Sequence, residues 1–284
     1  MVNQLKKAAK WLLPPIVLLP FRPGYRDSPD APPAWHRGDY PDWASATAVA
    51  KGYDAANILE IQRASMRKVR DGEAVYERDS VVFDKIEYFF PTLAALLLIA
   101  SRNNNRLSVL DFGGALGSTY YQNRHLLSHL SALSWHVVEQ PHFVSTGRAE
   151  FENEQLRFYP TIAESWAAQR PDVVLFSSVL QYLENPAELL TEIAAAQPPY
   201  ILVDRTPILD SGRERIVVQT VPPSIYPASY ACRLFAPGAM EAVLAPDYDV
   251  IFDFEVHIGT VIQVDDSLAR YRGMLFQHHP AGAA

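Results

Sequence analysis

The chain has one cysteine, Cys232, among 284 residues, which excludes an intrachain disulfide and a cysteine metal cluster. A thiol reacts only in an activating environment, and the apolar pattern around Cys232 offers none. The eight histidines lack H-E-x-x-H spacing, and His278 and His279 fall in the C-terminal tail, so no metal site is expected. Positive charge is also scarce. The formal net charge of −7 argues against a nucleic-acid partner. Long apolar runs are missing too: the stretch from Trp11 to Phe21 is broken by Pro14, Pro15 and Pro20 and falls short of the ~20 residues a membrane-spanning helix needs. No small-residue cleavage site follows it, only "RPGYRD", so a secretory signal does not fit. With Lys6, Lys7 and Lys10 ahead of the run, residues 1–21 read in two ways. They are an amphipathic segment at a membrane surface, or an arm packed on the body or on a partner subunit. The expected location is the cytoplasm, with or without contact at the inner face of the membrane.

What is present is ordinary globular material, 49% hydrophobic and 20% charged. Three regions are expected: an N-terminal arm and linker over 1–40, a helical lid over 41–104, and an α/β domain over 105–284. Residues 22–43 are rich in proline, aspartate and aromatics and read as an extended linker. Asp42 can cap a helix over "WASATAVAK" ended by Gly52, and Asp54 a second over "AANILEIQRASMRKVRD" ended by Gly72. A third opens near Pro91 and runs through "TLAALLLIAS". From Leu107 the pattern alternates. Strands are expected at "LSVLDF", "SWHVVEQ", "LRFY", "PDVVLFSS" and "YILVDR", with helices at "STYYQNRHLLSHL", "PHFVSTGRAEF", "TIAESWAAQ" and "NPAELLTEIAAA". Continuous Val, Leu and Ile in strands separated by helices imply a parallel sheet covered on both faces. Past Arg205, "RERIVVQTV" reads as an extra strand, "PPSIYPASYACRLF" as a loop or short strand, and "GAMEAVLA" as a helix. "YDVIFDFEV" and "ARYRGMLFQ" close the sheet as an antiparallel pair.

The stretch "RLSVLDFGGALGSTYYQ" passes from strand into Gly113, Gly114 and Gly117, more glycine than a turn requires. In such sheets ligands bind beyond the carboxyl ends of the strands, where the strand order reverses. Glycine there lets the backbone approach a ligand. The spacing is D-x-G-G-x-x-G rather than the G-x-G-x-x-G of dinucleotide sites, and Asp111 stands at the strand tip. A carboxylate would repel a pyrophosphate but welcome an ammonium. S-adenosyl-L-methionine (SAM) carries an ammonium and a sulfonium and has no phosphate. Glu139 ends the next strand, where a carboxylate can accept both ribose hydroxyl hydrogens.

These residues resemble the class I SAM-dependent methyltransferases: "VLDFGGALG" matches the family's first motif and "VVEQ" its second. Ala115 replaces the middle glycine of the usual pattern. The resemblance implies a Rossmann-like, mostly parallel sheet of seven strands with a closing antiparallel hairpin, behind an N-terminal helical extension. It implies SAM as cofactor, with Asp111, Gly113, Gly114, Gly117, Glu139 and Gln140 among its ligands. In "DVVLFSSVLQYLENP" it sets Ser177, Val179, Leu180 and Gln181 beside the cofactor or the reacting methyl, with Tyr182 next to them. The usual acid after the third strand is missing from "RFYPTIAE", leaving the backbone around Thr161 and Ile162 for the adenine. A closer resemblance, through "LLPPIVLL", "GDYPDWASA", "GEAVYERDSVVFD" and "VPPSIYPASYACRLF", is to a bacterial methyltransferase family often associated with cell-surface polysaccharide and O-antigen gene clusters.

Acceptor chemistry is expected on the same rim. Asp204 can serve as general base toward a hydroxyl and Arg205 can hold an anion; equally, the two can form an ion pair. Tyr226, Tyr230 and His257 are further candidates, the tyrosines in a segment suited to an acceptor lid. The polar segment "ERDSVVFD", Glu77 to Asp84, can close over the cofactor, with Arg78 reaching the carboxylate of SAM, or it is an ordinary charge network at a helix start. The expected reaction is methyl transfer to a small polar acceptor, such as a saccharide or polysaccharide precursor. The competing readings are a non-catalytic scaffold on the same fold and an NAD-dependent oxidoreductase.

Overall fold

The structure, a computed structural model, describes residues 35–50, 55–78, 80–83, 85, 90–221, 228–256 and 261–279. The expectations for residues 1–34, the Asp54 cap, the Gly52 helix end, Tyr226 and His257 lie outside these residues, as does the Arg78 side chain. In chain order the elements begin with strand β1 (His36–Tyr40), helices α1 (Trp43–Val49) and α2 (Ala55–Arg70), the hairpin β2 (Tyr76–Arg78) and β3 (Val81–Phe83), and helix α3 (Phe90–Arg102). The alternating region follows as β4 (Arg106–Phe112), α4 (Ser118–Asn123), β5 (Ala132–Val138), α5 (Pro141–Glu150), β6 (Leu156–Tyr159), α6 (Ile162–Ala168), β7 (Val173–Ser177) and α7 (Pro186–Ala195). It ends with β8 (Tyr200–Leu209), β9 (Arg215–Thr220), β10 (Ser229–Leu234), α8 (Ala239–Leu244), β11 (Tyr248–Glu255), β12 (Ile262–Val264) and β13 (Ser267–His278).

The main sheet has the order β6-β5-β4-β7-β8-β13-β11, with β12 paired onto β13. β6, β5, β4, β7 and β8 are parallel; β13 runs antiparallel to β8 and β11. This is the Rossmann-like sheet of the class I methyltransferase fold. Its order reverses beside β4, at the glycine turn.

Side-chain parity divides each strand between two cores, because successive residues face opposite sides. Val109, Leu175 and Leu202 look to one side; Leu110, Val174, Phe176, Ile201 and Val203 look to the other. The first side is covered by α2 through Met66 and Val69, by α3 through Leu93, Leu96 and Ile99, and by α5 through Phe143 and Val144. The second is covered by α7 through Leu190 and Ile193 and by α8 through Met240 and Leu244. Helix α3, within the region expected as a helical lid or extension, packs as a layer of the sheet's own core.

Three segments differ from the sequence expectation. His36–Tyr40, read as linker, is an edge strand on β9, which also pairs with β10 in a separate three-stranded sheet. Helix α4 stops at Asn123 rather than continuing through Leu130. There the Asn123 side chain donates to the Thr119 carbonyl at 2.9 Å, and Leu127 turns inward to 1% exposure. Third, β8 runs past Arg205 to Leu209 by way of a bulge. Thr206 pairs with Arg272 and Val203 with Met274, so Asp204 and Arg205 share the single position opposite Gly273. Arg205 takes a left-handed φ of 49° there. A Cβ on Gly273 would meet the Phe254 ring and lie 2.8 Å from the Val203 carbonyl oxygen. Among the described residues, no helix is long and apolar enough to cross a membrane.

Candidate functional site

The glycines at the tip of β4 serve protein packing first. A Cβ on Gly113, where φ is 71°, would lie 2.5 Å from Val179 Cγ2. On Gly114 it would lie 2.6 Å from the Asp111 carboxyl carbon, and on Gly117, at φ 88°, 3.0 Å from Leu156 Cδ2. The turn is thus drawn tight over Val179, Asp111 and Leu156.

Asp111 is 1% exposed, and its Oδ2 accepts a hydrogen bond from the Trp135 indole nitrogen at 3.0 Å. Burial raises its pKa to about 7, against the lowering effects of Trp135 and Arg205; Glu139 and Asp204 add to the rise. Glu139 follows the end of β5, and its Oε2 accepts from the Gln140 backbone N–H at 2.6 Å. Burial pushes this carboxyl up too, while the backbone N–H groups of Gln140 and Ala115 favour its charge. Ala115, at φ 52°, thereby ties the first turn to the second.

On the neighbouring strands Ser177 donates to Asp204 Oδ2 at 2.8 Å and accepts from Arg205 Nε and Nη2 at 3.3 and 3.2 Å. Arg205 Nε stands 3.6 Å from Asp204 Oδ2. Asp204 is 2% exposed; burial raises its pKa, although Arg205, Ser177 and the Thr92 hydroxyl beside it act the other way. In a regular strand Asp204 and Arg205 would face opposite sides of the sheet. The bulge puts both on one cavity, as bulges beside active sites do.

That cavity is lined by Asp111, Gly113, Gly114, Ser177, Asp204 and Arg205 from the sequence-derived set. It also takes in Glu77, from the segment expected to close over the cofactor, and residues that sequence reasoning missed: Gln62 from α2, Tyr76 from the hairpin, Thr92 from α3, and Ser118, Gln122 and Asn123 from α4. Glu77 is 2% exposed and accepts from Ser118 Oγ at 2.5 Å and from the Ser80 backbone N–H at 2.6 Å. For the missed residues one signal was available: Thr92 interrupts an otherwise apolar helix.

Other candidates lie elsewhere. Leu180 is a core residue at 0% exposure, so it does not line the cavity as the resemblance implied. Gln181, 1% exposed, braces the rim instead, donating to Ser178 Oγ at 3.1 Å and to the Arg205 carbonyl at 3.4 Å. Val179 acts through its contact with Gly113. Thr161 caps α6, its Oγ1 accepting from the Glu164 N–H at 3.1 Å, and is not among the cavity's lining residues; nor are Gln140 and Glu139. Tyr230, on β10, stands edge-on to Tyr182 with ring centroids 5.1 Å apart, outside the cavity lining. Cys232 is buried, and burial pushes its thiol far above the ordinary range.

No family model and no curated protein matches the chain. Among solved structures it is similar to the N-terminal domain of EvdMO1 in the presence of SAH and D-fucose, with 15% identity over 80% of this chain and 98% of that one and a TM-score of 0.45. It is similar to Burkholderia thailandensis 1,6-didemethyltoxoflavin-N1-methyltransferase, with 14% identity over 82% and 94% of the two chains and a TM-score of 0.40. A third similar structure is the glycopeptide N-methyltransferase MtfA complexed with sinefungin, with 13% identity over 69% of this chain and 96% of that one and a TM-score of 0.44.

Proposed function

We propose that the protein is an enzyme that transfers a methyl group from SAM to a small polar acceptor. The charge of the cavity at the sheet's switch point carries this proposal. Glu77, Asp111 and Asp204 line it together, with Arg205 as the cation among its lining residues. Such a set disfavours a pyrophosphate and favours a ligand bearing an ammonium and a sulfonium. SAM, when bound, supplies a methyl on a positively charged sulfur that leaves readily.

Asp111 receives the amino group of the donor, and Glu139 takes the ribose hydroxyls. Gln140 and Thr161 stand on the adenine side, at the turns after β5 and β6. The backbone of Gly113 and Gly114 forms the floor between them. Ser177, Asp204 and Arg205 form the acceptor end. There Asp204, buried and with its charge opposed by its surroundings, takes the proton of a hydroxyl acceptor. Arg205, already engaged with Ser177 and Asp204, orients that carboxylate rather than gripping an anionic acceptor. Tyr226 and Tyr230, the tyrosines singled out in the sequence, are the remaining candidates for contact with the acceptor. Most of the acceleration comes from alignment and exclusion of water. A saccharide or polysaccharide precursor is the acceptor class that the sequence resemblance favours.

The test is calorimetric titration with SAM and with NAD, followed by release of S-adenosylhomocysteine across sugar, lipid-linked and small-molecule acceptors. SAM is expected to bind and NAD not to. Folded Asp111→Asn is expected to bind SAM at least tenfold more weakly, about what the loss of one charge-assisted contact costs. Equal affinity in that variant would remove the proposal.

A further inference from the structure

On its own, Asp111 is a poor receptor for a cation. It is buried, and both Glu139 and Asp204 add like charge; Arg205 and the Trp135 indole act the other way. The indole contact follows from register. Trp135 pairs with Val109 and Val137 with Asp111, so residues 135 and 111 leave the same face of the sheet. The ring then lies along the strands, with Nε1 3.0 Å from Asp111 Oδ2. Trp135 is fully buried at 0% exposure, packed in the core against Tyr120 at a centroid separation of 6.0 Å. On the other side of the carboxylate stands Gly114, whose missing Cβ would come within 2.6 Å of it. The Asp111 carboxylate is held between an indole locked in the core and a backbone segment drawn tight beside it.

We propose that Trp135 is a positioning residue for the methyl donor: its indole N–H fixes one carboxylate oxygen of Asp111 and so presents the group to the donor's primary ammonium. This rests on the reading of Asp111 as the ammonium ligand. A phenylalanine would fill much of the same core volume, so packing alone does not require the nitrogen. The buried indole N–H needs an acceptor, and the acceptor here is the Asp111 carboxylate at the tip of β4. The other charged and titratable groups around Asp111 are Asp204 and Arg205 from β8, Glu139 at the end of β5, and Tyr76 and Glu77 from β2. All stay in place when the indole is removed.

The experiment uses the full chain and its Trp135→Phe variant, titrated with S-adenosylhomocysteine, which keeps the ammonium, from pH 6 to 9. Loss of the hydrogen bond is expected to weaken binding ~tenfold at pH 7, the effect of about one pKa unit. The deficit is expected to shrink toward pH 9, where Asp111 ionises without help. No effect, or an equal loss at every pH, would overturn the inference. On an Asp111→Asn background the same substitution is expected to have no further effect on affinity. If Trp135→Phe does not fold, the indole proton resonance of Trp135 in the parent protein decides: it is expected to shift as Asp111 titrates, and a resonance independent of pH from 5 to 9 overturns the coupling. Failure of the underlying reading looks different. A parent that binds no S-adenosylhomocysteine, or Asp111→Asn that binds it equally well, removes both; binding that needs Asp111 but ignores Trp135 removes only the indole's role.

Discussion

A carboxylate with a pKa raised to about 7 makes ligand binding a proton-linked event. With Asp111 as the proposed ammonium ligand, donor binding between the ordinary aspartate range and pH 7 is expected to displace a proton from its carboxyl. Binding of S-adenosylhomocysteine is therefore expected to release up to one proton near pH 6 and almost none above pH 8. Calorimetry at pH 6 in two buffers of different ionisation enthalpy measures this directly, and heats that do not depend on the buffer would contradict it. The same shift sets the sign for stability. The unfolded chain ionises Asp111 at its ordinary pKa while the folded chain resists, so this group's contribution to stability declines as pH rises from about 4 toward 7. Gly114 is the companion at this scale. Gly114→Ala drives a methyl into a carboxylate that Trp135 holds in place, and is expected to weaken donor binding at least tenfold through displacement of Asp111. A melting curve alongside the titration separates that loss from unfolding.

Between elements, the clearest electrostatic tie joins α2 to α5. Glu150 accepts from Arg63 Nε at 2.8 Å and from Arg67 Nε and Nη2 at 2.7 and 2.8 Å, and these arginines hold its pKa down to about 2. A lowered carboxylate stabilises above its unfolded pKa, and the effect is lost as pH falls from about 4.5 to about 2. Glu150→Gln is expected to cost about 1 kcal/mol at pH 7, a value discounted for the solvent exposure of the arginines. Denaturant curves are expected to show that difference shrinking at acid pH. Elements were also where the sequence was most readable. "LRFY" gave β6 to the residue, and the Asp42 cap on α1 is present, accepting from the Ser45 N–H at 2.7 Å. Each depends on neighbours within a few positions. The bulge in β8 was not readable, because it answers to Gly273 and Phe254 on strands far along the chain.

For the molecule as a whole, alternation of apolar strands with helices was enough to predict the parallel sheet and its antiparallel close. The wall of the candidate site was not predictable in the same way. Asp111 and the glycines announced themselves by sitting together, whereas Glu77 and Thr92 come from elements ahead of the alternating region and meet Asp111 only through packing. Leu180 and Gln181 lie outside the cavity lining for a related reason: the 3-10 turn from Leu180 to Tyr182 directs both inward, a geometry that residue type alone does not encode. The N-terminal 21 residues pose their question at this same scale. If they bind lipid, the full chain is expected to co-sediment with anionic liposomes and a chain lacking residues 1–21 to remain in the supernatant. Equal sedimentation of the two would exclude the membrane reading.

One extra residue in β8 gives this end of the cavity two adjoining side chains of opposite sign, Asp204 and Arg205, where a straight strand would offer one. Deleting that residue would leave the sheet's hydrogen bonding nearly whole and erase the dipole. The charge at this end of the cavity thus depends on chain length in β8 as well as on residue type. Its keeper is a glycine on the last strand, nearly seventy positions downstream in a segment that contributes no side chain to the cavity.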